Sequence, residues 1–210
     1  MYKLDIEDNK RVFCDLLRKI DRENSRIDDL IAMLEGSDFF TAPASTKFHN
    51  AVEGGLADHS LNVYYNLKSL VERKHIDCSE NSVLICGLLH DISKINFYKK
   101  TSRNKKVYSE DGSKWDNLGR FDWVSELSYT IAPPEERFIY GNHEENSEYL
   151  IRQFIVLSNE ESIAILHHHG GMSWDSCKFD MQTVYNISHL ALLLHVADMI
   201  ACYVDEGCNE

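Results

Sequence analysis

The chain of 210 residues is 43% hydrophobic and 27% charged with only three prolines, the profile of a folded protein long enough to bury a core without disulfides or structural zinc. Its formal net charge of −12 disfavours nucleic acid and anionic membrane as partners, since both demand Lys/Arg clusters, yet permits a small anion held beside a metal charge. The six cysteines (Cys14, Cys78, Cys86, Cys177, Cys202, Cys208) form no CxxC pair, and the N-terminus MYKLDIEDNK is polar and acidic. Reduced thiols and a cytoplasmic location are therefore expected.

From Asn9 to Leu34, Phe13, Leu16, Leu17, Ile20, Ile27, Leu30, Ile31 and Leu34 recur at helical spacing, predicting one amphipathic helix kinked near Asn24. Gly36 to Gly55, with Pro43, Ser45 and Thr46, reads as loop or broken helix, and a helix follows from about Leu56 to Arg73. Ser79 caps a strongly apolar helix through Leu89 that ends at His90-Asp91. The stretch from Lys94 to Tyr140 mixes lysines, aromatics and the turn Asp111-Gly112. It predicts a small β-hairpin or irregular insertion, either a lid over a site or a hairpin packed on the helices. Helix returns from Glu144 to Leu157. The next is capped by Asn159 and stopped by Gly170-Gly171, just after His167-His168-His169. A final helix runs from about Asn186 to Val204. Its apolar stretch, broken by His195 and Asp198, is too short to span a bilayer and reads as core. Without repeats or a linker, the expectation is one mainly α domain over 1–210: an N-terminal helix to about residue 40, a helical core over 41–204, and an insertion over about 95–140.

His59, His90, Asp91, His143, His168 and Asp198 each stand in or beside a predicted core helix. A lone histidine on an apolar helix is usually a hydrogen-bonded core residue. Asp198 is harder to explain that way, because it lies four residues after Leu194 and eight after Leu190, on the apolar face. A buried, unpaired carboxylate needs a cation, and the final helix offers no Lys or Arg. Adjacent side chains diverge by about 100° in a continuous helix, so His90 and Asp91 converge only if the helix unwinds there. Imidazole with carboxylate suits Mn, Fe, Mg, Co or Zn, with no thiolate implied.

LLHDISK, Leu88 to Lys94, resembles the doublet of the HD superfamily of metal phosphohydrolases. APASTKFHNAVEGGLADHSLNVYYN (Ala42 to Asn66) resembles the segment supplying that family's first histidine, and HVADMIACY (His195 to Tyr203) its closing helix. GNHEENSEYLI (Gly141 to Ile151) and AILHHHGG (Ala164 to Gly171) resemble the segments that each give a histidine to a second metal in binuclear branches. The resemblance implies an HD-type helical bundle with one or two divalent ions held by His59, His90, Asp91, His143, His168 and Asp198. His167 or His169 is an alternative to His168. The pattern departs from the family's histidine-glycine-glutamate-lysine-serine at Glu144 and Asn146, which leaves the substrate class open.

Such a site implies hydrolysis of a phosphate ester, a nucleotide or related small molecule, by hydroxide formed on ions bridged by Asp91. Lys94 is the candidate phosphate clamp, and Lys47 and His49 are weaker candidates for contacting substrate. A di-iron oxygenase cleaving a carbon-carbon or carbon-phosphorus bond, a 3′-5′ exonuclease on single strands and a non-catalytic nucleotide sensor are the competing readings. The sequence leaves the oligomeric state open.

Overall fold

The computed structural model describes residues 4–138, 141–170 and 180–206. Gly171, Cys177 and Cys208 lie outside the described residues. The chain is mainly α, as expected, with a small antiparallel sheet inserted between helices.

The single kinked N-terminal helix is instead two, α1 (Ile6–Leu17) and α2 (Ile27–Gly36). The break is physical: Asn24 sits at φ 59°, a left-handed conformation that an α-helix cannot contain. Asp5 caps α1 by accepting from the Asp8 amide. The break also places Arg22 against the buried Glu161, whose two carboxylate oxygens its guanidinium binds at 2.5 and 2.7 Å.

α3 (Gly55–Lys74) enters through Gly54 at φ 81°, a backbone angle that side chains disfavour and that the Gly-Gly pair supplies. α4 (Glu80–Leu89), capped by Ser79, packs closely on it. A Cβ at Gly87 would stand 2.6 Å from the Tyr64 Cα, so the missing side chain sets how near the two helices come. A 3₁₀ turn, Ile92–Lys94, follows.

β1 (Tyr98–Tyr108), β2 (Lys114–Asp116) and β3 (Gly119–Ile131) form a three-stranded sheet in the order β1-β3-β2, with Tyr98 opposite Ile131 and Lys114 opposite Phe121. A hairpin rather than an irregular insertion therefore leaves and rejoins the helical body.

α5 (His143–Arg152) opens with a capping box between Asn142 and Glu145. The cap of α6 (Asn159–Leu166) is Ser158, not Asn159, because Glu161 completes a second capping box with it. The predicted last helix from about Asn186 is α8 (His189–Ile200), capped by the extended Ser188, and a short helix not foreseen from the sequence, α7 (Met181–Ile187), precedes it. A π turn, Ala201–Asp205, ends α8. Among the described residues no single helix is long and apolar enough to cross a membrane.

The core gathers Phe13, Leu17, Leu34, Leu56, Leu84 and Leu88 from the first helices and Phe39 from the turn after α2 with Ile165, Leu190 and Leu194 from α6 and α8. α3 lies between α4 and α8, and α6 also meets α8. The ends of these helices thus meet in one place.

Candidate metal centre

That place is where the polar residues of the core collect. His59 on α3 and His90 and His168 beyond the ends of α4 and α6 are fully buried, and Asp91 and Asp198 are nearly so. α4 does unwind where convergence requires it. His90 still has helical angles, but Asp91 has turned to φ −104°, ψ 15° before the 3₁₀ turn begins.

Asp91 sits between two sets of imidazoles, one for each carboxylate oxygen. Its Oδ2 faces His59 Nε2 at 3.5 Å and His90 Nε2 at 3.7 Å, while Oδ1 bonds His143 Nε2 and lies 3.6 Å from His168 Nε2. Asp198 Oδ1 closes the first set, 3.3 Å from His59 Nε2. The possible ligand atoms of His59, His90 and Asp198 all lie within 4.8 Å of one another, and so do those of Asp91, His143, His168 and His169.

Each of the four buried or half-buried imidazoles has its Nδ1 held from behind. Gly87 O bonds His90 at 3.1 Å, Ile165 O bonds His168 at 2.6 Å, Ser93 Oγ bonds His143 at 2.8 Å, and Glu206 Oε1 bonds His59 at 2.9 Å. This turns four Nε2 atoms toward Asp91. Holding Nδ1 so that Nε2 is presented is how proteins orient imidazole for metal.

A cation fits the arrangement. Among the described residues, His168 Nε2 is buried and has no hydrogen-bond partner, an arrangement that is costly unless something binds there. Burial would lower the proton affinity of His59, yet its bonds to Asp198 and Glu206 raise it, and the Asp91 carboxylate does the same to His168. His90, dominated by burial, is instead pushed down to about 3 and stands as a neutral donor. Carboxylates able to hold extra protons on buried imidazoles also favour a divalent ion in their place.

Lys94 ends the 3₁₀ turn with Nζ 2.6 Å from Asp91 Oδ2 and 2.9 Å from Ala44 O. It is mostly buried rather than a solvated surface lysine, and the nearby Asp91 raises its pKa despite burial. A cavity of about 190 Å³ opens beside it, lined also by His49, Phe48, His169, Met199 and Tyr203. His49 therefore stands where a substrate contact was expected. Lys47 does not: it is exposed and absent from the lining. No residue of the sheet lines the cavity, so the hairpin is not a lid over it, although Tyr98 OH donates to Ala44 O beside Lys94.

Of the three consecutive histidines, His168 faces Asp91, while His169 Nδ1 pairs with Glu144 at 2.9 Å and His167 belongs to neither ligand group. The two departures from the family pattern acquire roles here. Glu144 is buried behind His169, which holds its carboxyl down to about 2 although burial alone would raise it, and Asn146 accepts from the Gly141 amide. Sequence reasoning passed over Ser93 and Glu206. Ser93 had a visible signal, standing two residues from Asp91, whereas Glu206 lies beyond every recognised segment.

The HD domain family matches residues 56–201, a span that takes in His59, His90, Asp91, His143, His168 and Asp198, and the chain belongs to that family. Membership carries metal-dependent phosphohydrolase-type chemistry in general. No curated protein and no solved structure matches the chain.

Proposed function

We propose that this chain hydrolyses a small phosphate ester, a nucleotide or a related phosphorylated molecule, at a pair of divalent ions. His59, His90 and Asp198 would hold one ion, His143 and His168 the other, and Asp91 would join them. The observation carrying this is the division of Asp91, whose two oxygens face two different imidazole sets. A divalent ion bound there supplies positive charge to a phosphoryl oxygen and acidifies water near neutrality.

The protein's own part is positioning and charge. Lys94 has the reach to leave Asp91 Oδ2 and donate from Nζ to a non-bridging phosphoryl oxygen, whose charge grows in a loose transition state. The imidazoles stay oriented throughout because their Nδ1 contacts come from backbone, hydroxyl and carboxylate groups outside the reacting volume. At about 190 Å³ the cavity falls below the roughly 300 Å³ at which whole-ligand pockets begin. It suits a phosphoryl group and its nearest atoms, with the rest of the substrate lying across Phe48 and Tyr203, both exposed at its mouth. Aromatic faces there favour a base or another flat group.

A panel of nucleotides and simple phosphomonoesters, scored for phosphate release with Mn²⁺, Fe²⁺, Mg²⁺, Co²⁺ or Zn²⁺, tests the proposal, with Asp91→Ala as control. Release that needs metal and vanishes in the control is expected. Activity surviving Asp91→Ala would refute the bridging role. Two irons with a mixed-valent signal and no phosphate release would replace hydrolysis by oxidation.

A further inference from the structure

We propose that Glu206 is a positioning residue of this metal centre, its buried carboxylate holding His59 with the proton on Nδ1 and the Nε2 lone pair toward the cation. The proposal rests on the metal-binding reading above but not on the reaction performed there.

Three observations carry it. Glu206 Oε1 lies 2.9 Å from His59 Nδ1 on a side chain only 1% exposed, and it also accepts from Asn62 Nδ2 at 3.2 Å. Second, the backbone changes geometry just before it. In an uninterrupted α-helix Glu206, eight residues beyond Asp198, would overshoot that residue's face by about 80°. The π turn closes with the Glu206 amide bonded to Ala201 O at 3.0 Å, a wider loop that takes out part of the overshoot and brings both carboxylates to the same imidazole. Third, α3 presents His59, Asn62 and Asn66 at i, i+3 and i+7, one face. Asn66 holds Asp205 Oδ2 at 2.7 Å, fixing the segment that delivers Glu206.

Among the described residues Glu206 Oε2 is buried without a partner, so the fold makes little use of this carboxylate beyond the two donors at Oε1. The contrast with the other imidazoles is chemical. His90 and His168 are backed by carbonyls and His143 by a hydroxyl, whereas His59 alone of the four has an anion. A carboxylate behind an imidazole strengthens the opposite nitrogen as a donor, and removing such a partner typically weakens metal binding by about 10- to 100-fold. Glu206 also lies past the family match, which ends at residue 201, so this device belongs to the chain's own C-terminal segment.

The test is calorimetric titration of metal-stripped protein with Mn²⁺, with thermal unfolding of the metal-free forms alongside. Glu206→Ala is expected to bind about 10- to 100-fold more weakly, Glu206→Gln in between, and Glu72→Ala, which removes an exposed carboxylate elsewhere on α3, like the unaltered chain. Should Glu206→Ala not fold, the isosteric Gln decides: weaker Mn²⁺ binding with unchanged unfolding supports the proposal. Binding by Glu206→Gln and Glu206→Ala equal to the unaltered chain overturns it, as does an equal loss in Glu72→Ala. Mn²⁺ binding without phosphate release from any ester would sink the proposed hydrolysis and leave this inference standing, while an unaltered chain that binds no divalent ion sinks both.

Discussion

Replacing Lys94 by methionine should move two measurements in opposite directions. Its ammonium sits 2.6 Å from Asp91 Oδ2, the oxygen that also faces His59 and His90, so a cation entering that set must compete with it. A hydrogen bond between charged partners contributes about 1.5–3 kcal/mol, and about 1.4 kcal/mol is tenfold in an equilibrium constant. Lys94→Met should therefore bind Mn²⁺ more tightly, by about tenfold to a hundredfold at the first ion. If the same ammonium steadies the phosphoryl oxygens during turnover, kcat/KM should fall by a similar factor at saturating metal. Methionine keeps the stem's length and apolar packing, so neither change comes from a collapsed cavity. The assays are a Mn²⁺ titration of the stripped protein and steady-state kinetics on the best ester of the panel. Mn²⁺ affinity that is unchanged or weaker in Lys94→Met would refute the idea that this lysine occupies the cation's place.

Glu161→Ala should cost about 3 kcal/mol, because it strands the Arg22 guanidinium and removes the acceptor used by Ser82 and the Ser158 amide; chemical denaturation reads the loss. Burial works against the Glu161 carboxylate, but Arg22 and its other donors hold its pKa below the usual 4.5. Its contribution is thus complete above pH 4.5 and lost as the pH falls through the lower folded value, so Glu161→Gln should show a flatter loss of stability in acid. Gly87→Ala drives a Cβ to 2.6 Å from the Tyr64 Cα and should cost about 1–3 kcal/mol, lowering Tm by about 3–10 °C; an unchanged Tm would contradict the α3/α4 spacing. Mn²⁺ at a hundred times its Kd should stabilise the folded chain by about 2.7 kcal/mol, seen as a raised Tm that chelation reverses and that Asp91→Ala largely abolishes.

The residues facing the cation site were legible because their chemistry is out of place where they stand. A carboxylate on the apolar stripe of α8 and a His-Asp pair ending an apolar helix conflict with burial unless something compensates them, and a sequence displays that conflict. The helix boundaries were legible only where a cap or a positive φ was written in a distinctive residue. Ser79 and the Gly54-Gly55 pair announced α4 and α3, but the separation of α1 from α2 includes a backbone angle at Asn24 that a sequence does not display, and Ser188 parts α7 from α8 within a mostly apolar stretch, Val184 to Leu194.

What orients the imidazoles was hidden for a different reason. Gly87 and Ile165 act through carbonyl oxygens, which every residue possesses, so no residue type could mark those positions. Glu206 does act through its side chain, yet it reaches His59 only because a π turn shifts the helical register, and ordinary α periodicity counts it about 80° away. The groups gathered around Asp91 were therefore readable from residues out of place in an apolar helix and from the resemblance of their segments to the HD family, whereas the groups that aim them depend on backbone geometry that spacing does not encode. Variants in the aiming groups should accordingly alter metal affinity while leaving every predicted ligand in place.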